Sequence, residues 1–66
     1  MKVILNGKEK EFAQLNNLKD LVLQFCRDHN HVLAELNGEI IKTHQWDQTT
    51  IKDGDTIELV NFVGGG

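Results

Sequence analysis

The chain has 66 residues, ten acidic and seven basic for a formal net charge of −3, with 39% hydrophobic and 26% charged residues and a single cysteine. That length makes one domain, burying only about 60% of the surface its unfolded chain would expose, and the composition is that of a globular protein rather than a disordered or repetitive one. The acidic balance argues against nucleic-acid binding, which needs a basic stripe to displace counterions, and no apolar run approaches the roughly 18 residues of a membrane span.

The opening MKVILNGKEK turns polar after three apolar residues, short of a signal-peptide core. Cys26 alone cannot form an internal disulfide, so the expectation is a cytoplasmic protein in a reducing compartment. Within that opening, Val3 and Leu5 alternate onto one face, Asn6-Gly7 follows, and a second alternating run ends at Phe12. An Asn-Gly pair between alternating runs predicts a β-hairpin, because both residues tolerate the positive φ of a type I′ turn. The KEKE run at residues 8–11 reads as a solvated strand edge that discourages further pairing.

Leu18, Leu21, Val22 and Phe25 recur at i, i+3, i+4 and i+7, the spacing of one buried helical stripe. Asn17 is placed to cap the helix, with Asp20 in its first turn facing the positive end of the helix dipole. Residues 29–31 are expected to end the helix and start the next strand. Cys26, eight residues after Leu18, reads as a buried structural cysteine rather than a sulfur relay, since no basic pocket is implied around it.

A second hairpin is predicted from Val32, Ala34 and Leu36 facing inward, an Asn37-Gly38 turn and a short strand over residues 39–41. Residues 42–50 read as an irregular polar loop in which Trp46 serves as a satellite core anchor. Asp53-Gly54-Asp55 is tight-turn chemistry rather than a paired-carboxylate site. His29 and His31 form an H-x-H pair without accompanying cysteines or carboxylates, and His44 lies in a separate loop, so no metal is expected. In the closing run, Ile57 and Leu59 share one face while Glu58, Val60 and Phe62 share the other.

The pattern is ββαββ with an extended final strand. Two hairpins around one amphipathic helix call for an α+β fold in which a mixed sheet packs one face on that helix, with the last strand between the first and third. This is the β-grasp, or ubiquitin-like, architecture. The domain is taken as residues 1–63, with Gly64, Gly65 and Gly66 as a flexible C-terminal tail. Residues 63–66 reach at most about 13 to 14 Å when extended, far enough for the domain to dock outside a site while its end enters.

At neutral pH a C-terminal α-carboxyl is an ionised carboxylate and a poor electrophile. It becomes reactive only as an acyl group with a better leaving group, made with ATP in another protein's active site. Glycine has no Cβ to clash in a narrow channel. Ordering three glycines opposes binding by roughly 3 to 6 kcal/mol. Burying Val60 and Phe62, about 1.5 to 3 kcal/mol each, is comparable, which makes them the candidate docking patch; the alternative is that the chain's own loop, Trp46 included, covers that face.

With the NGEII turn, the DGDTIELV segment and the terminal GGG in place, the chain resembles the ThiS family, the sulfur carrier proteins of thiamine biosynthesis, over essentially its whole length. It has no proline, where family members often carry one after the strand matching Ile40 and Ile41. The resemblance implies a carrier that is itself no enzyme and binds no cofactor. A ThiF-like enzyme would use ATP to adenylate Gly66, a sulfur from a persulfide such as a cysteine desulfurase carries would replace the AMP, and the thiocarboxylate would serve a ThiG-like thiazole synthase. Gly64 and Gly65 would supply the approach, with Val60 and Phe62 meeting the partner enzymes. Neither nucleic acid nor membrane is an expected partner. The small subunit of molybdopterin synthase and ubiquitin-like modifiers share this outline, and a plain β-grasp binding module is the alternative from another class.

Overall fold

The computed structural model describes residues 1–26 and 31–62. Strands β1 (Lys2–Leu5) and β2 (Lys8–Glu11) form the first hairpin, helix α1 (Leu18–Phe25) follows, and β3 (Val32–Leu36) and β4 (Glu39–Ile41) form the second. A 3₁₀ helix over Thr43–Gln48 leads to the last strand, β5 (Thr56–Asn61). The five strands form one sheet in the order β2-β1-β5-β3-β4. The last strand is central, parallel to β1 and antiparallel to β3, as the β-grasp reading requires.

Both Asn-Gly pairs make the turns expected of them. Asn6 and Gly7 have φ of 50° and 80°, and Asn37 and Gly38 have φ of 52° and 86°, the left-handed values of a type I′ hairpin. Leu5 pairs with Lys8 across one turn and Leu36 with Glu39 across the other. β2 lies at the sheet edge with all four residues exposed, so its alternating charges meet water.

Asn17 caps α1 in an extended conformation, its side-chain oxygen accepting the Asp20 N–H at 2.9 Å. The helix buries Leu18, Leu21 and Val22 against Val3, Leu5, Ala34, Ile57 and Leu59 from the sheet. It is shorter than expected. Cys26 is already extended, at φ −127° and ψ 124°, and closes the helix by donating its N–H to the Val22 carbonyl at 2.9 Å. Phe25, expected in the buried stripe, is 46% exposed: the helix stops there, and its ring meets Phe12 edge-on at 5.8 Å. His29 lies outside the described residues.

The stretch expected to be an irregular loop is the 3₁₀ helix, and Trp46 is no satellite. At 2% exposure it belongs to the main core, and its Nε1 donates to the Ile41 carbonyl at 3.0 Å. Long-range bonds order the segment: Leu18 N–H donates to the Thr49 carbonyl at 2.8 Å, and Asn17 Nδ2 to the Asp47 carbonyl at 3.2 Å. Each joins residues about thirty positions apart in sequence, so local periodicity carries no sign of them.

Candidate functional site

β5 delivers the chain to its C-terminus, and its alternation divides it cleanly. Ile57 and Leu59 point into the core, while Val60 and Phe62 face outward with 49% and 43% of their surface exposed. Trp46 lies in the core and does not cover them. The cross-strand register sets Leu33, 37% exposed, directly opposite Val60. Next along, Phe62 donates its N–H to the His31 carbonyl at 2.9 Å, and its ring stands edge-on to the His31 ring at 5.7 Å. On β4, Ile40 is 57% exposed and pairs with Glu35, two residues on from Leu33 on the same strand face.

Val60, Phe62, Leu33 and Ile40 thus give the face opposite the helix an apolar character, with Glu35 and Glu58 paired across β3 and β5 within it. Exposed apolar clusters rimmed by charge mark docking surfaces more often than scattered single residues do. Sequence alternation finds Val60 and Phe62, which lie on one strand; it misses Leu33 and His31, whose nearness depends on the register of β3. Gly64, Gly65 and Gly66, together with Val63, lie outside the described residues.

Other candidate groups are engaged structurally. Asp53 Oδ1 accepts the Lys2 N–H at 2.7 Å, and Asp55 accepts from the Lys52 N–H at 2.8 Å and from Asn37 Nδ2 at 3.0 Å. These carboxylates tie the turn around Gly54, φ 89°, to β1 and the second hairpin. Cys26 is buried, and desolvation pushes its thiol above the ordinary range, the opposite of what a nucleophilic sulfur relay needs. Among the described residues no cluster of three or more His, Cys, Asp or Glu could hold a metal ion. Every buried side-chain polar atom among them has a partner, and none of their helices is long and apolar enough to cross a membrane.

Comparison with known proteins agrees with this arrangement. The ThiS family model matches residues 3–66. The chain is 35% identical over 63 residues to the sulfur carrier protein ThiS of Bacillus subtilis (strain 168), covering 94% of this chain and 96% of that one. It is also 35% identical over 66 residues to a thiazole synthase of Paramagnetospirillum magneticum, where it spans all of this chain but only 20% of that enzyme. The crystal structure of a thiamine biosynthesis protein (ThiS) from Geobacter metallireducens superposes with a TM-score of 0.82 at 36% identity, covering the whole of both chains. Matched by the family model over residues 3–66, and similar in fold to a solved ThiS structure, the chain belongs to the ThiS family.

Proposed function

We propose that the protein is a sulfur carrier of thiamine biosynthesis whose working group is the Gly66 carboxylate. The observation that carries this reading is the family match running through residue 66, so that it includes the three glycines following the strand that bears Val60 and Phe62.

The chemistry follows from the weakness of a carboxylate as an electrophile. In an activating enzyme, a Gly66 carboxylate oxygen attacks the α-phosphorus of ATP, and pyrophosphate leaves. The outer sulfur of a donor persulfide then attacks the acyl carbon, expelling AMP. A thiol takes the donor's own sulfur by exchange, forming a disulfide and leaving a thiocarboxylate on Gly66. This group keeps its negative charge but presents a softer, more nucleophilic sulfur. After the sulfur has passed to an acceptor and water has supplied an oxygen, the carboxylate is restored.

Val60 and Phe62, with Leu33 beside them, dock the domain while the glycines reach the reacting atoms. Thiazole synthase is the proposed acceptor, and the matching fifth of the Paramagnetospirillum magneticum enzyme supports it by putting carrier-like sequence and that activity in one polypeptide. The test is pyrophosphate exchange: a ThiF-like adenylating enzyme should exchange pyrophosphate into ATP only when this chain is present. A chain lacking Gly66 should be inert, and exchange supported equally by that shortened chain would overturn the assignment.

A further inference from the structure

Two Asn-Gly turns brace β5, one at its start and one at its middle, and they do so differently. At the start of the strand, Asn37 donates its backbone N–H to the Thr56 carbonyl at 2.7 Å. Its Oδ1 accepts the Thr56 N–H at 2.9 Å, and its Nδ2 binds Asp55 Oδ1. Further along, on the β1 side, Asn6 donates its backbone N–H to the Ile57 carbonyl at 2.9 Å. Its side chain then grips a single residue: Oδ1 accepts the Leu59 N–H at 2.8 Å, and Nδ2 donates to the Leu59 carbonyl at 3.3 Å.

The register explains why Leu59 needs such a partner. β1 pairs with β5 only as far as Leu5 opposite Ile57, and the chain then turns away through Asn6 and Gly7. The Asn6 amide, one donor and one acceptor in a plane, takes the place of the strand residue that is missing there. A type I′ turn demands only positive φ, which glycine or aspartate also supplies, so turn chemistry alone does not account for the amide. Beyond Leu59 the strand is held from the other side only, by β3, with Leu33 opposite Val60, Val32 opposite Asn61 and the Phe62 N–H on the His31 carbonyl, so Asn6 is the last tie on the β1 side.

We propose that Asn6 is a positioning residue for the C-terminus: by holding both backbone groups of Leu59 it fixes the direction in which the chain leaves β5, and so how Gly66 is presented to an activating enzyme. This rests on the carrier reading above. The brace acts seven residues from the end of the chain, whereas that of Asn37 acts ten residues from it, at the entry of the same strand. With Leu59 freed, β3 alone holds the last three residues of the strand, the range of exit directions widens, and a partner that accepts one of them sees a smaller competent fraction, which weakens apparent affinity in proportion.

The experiment compares Asn6→Gly with Asn37→Gly. Both keep the turn and both lose side-chain bonds to β5, so a purely structural role predicts like effects. In adenylation by a ThiF-like enzyme, at a temperature where both variants are folded, Asn6→Gly should raise the KM for the carrier about fivefold to thirtyfold with kcat little changed. Asn37→Gly should leave both constants near wild type, and Asn6→Asp, which can still accept the Leu59 N–H, should fall between. Equal KM shifts in the two glycine variants, or an unchanged KM in Asn6→Gly, would overturn the proposal. A wild-type chain that is not adenylated speaks against the carrier reading instead. Amide exchange then decides the role of Asn6: faster exchange at Phe62, whose N–H binds the His31 carbonyl and not Asn6, in Asn6→Gly than in Asn37→Gly supports it, and equal exchange at Phe62 contradicts it.

Discussion

Replacing Phe62 with alanine separates docking from folding. A fully exposed phenylalanine presents about 200 Å², so the 43% left open at Phe62 is about 85 Å² available to a partner. At about 25 cal/mol per Å², its burial contributes about 2 kcal/mol, or roughly thirtyfold in Kd. Within the domain the ring's aromatic contact is edge-on to His31, an interaction of about 0.5 to 1.5 kcal/mol, and it lies outside the helix-facing core. Phe62→Ala should therefore weaken binding to an adenylating enzyme about thirtyfold by titration calorimetry, while urea unfolding, with roughly 115 Å² already covered by the domain in addition to the ring pair, shows a loss of about 2 to 4 kcal/mol. An unchanged Kd alongside reduced stability would refute the docking role and leave Phe62 a structural residue.

Trp46 predicts the reverse pattern. Trp46→Ala removes a core ring and leaves the Ile41 carbonyl without its indole donor, costing about 3 to 5 kcal/mol. For a domain of this size that is most of the expected stability, so circular dichroism should report a largely unfolded chain, and a midpoint near wild type would refute its place in the core. At Cys26 the neutral thiol is favoured by burial. Its raised pKa stabilises the fold fully below the thiol's unfolded pKa and ever less as pH rises through the folded value. Iodoacetamide should label native Cys26 far more slowly than the urea-unfolded chain near pH 8, and equal rates would contradict its burial.

The parts of the fold legible in the sequence are those fixed by neighbours along the chain. Asn6-Gly7 and Asn37-Gly38 dictate their turns locally, and Leu18, Leu21 and Val22 declare a helix face through spacing alone. Phe25 shares that spacing but is exposed, because periodicity does not show where a helix ends relative to its sheet. The 3₁₀ helix around Trp46 escaped because its order comes from bonds to Ile41 and to the start of α1. At the candidate site, β5 alternation is enough to find Val60 and Phe62. Leu33 and His31 join them only through the pairing of β3 with β5, and Asn6 reaches Leu59 across 53 positions. An asparagine chosen for its turn conformation gives no local sign of a second use for its amide.

The most direct measurement is the intact mass of the protein after incubation with a ThiF-like enzyme, ATP and a persulfide donor, with fragmentation to locate any change. A gain equal to one sulfur replacing one oxygen, confined to Gly66 and absent when a residue is appended after it, is the predicted result. An unaltered mass with enzymes that load the Bacillus subtilis carrier in the same assay would contradict the account.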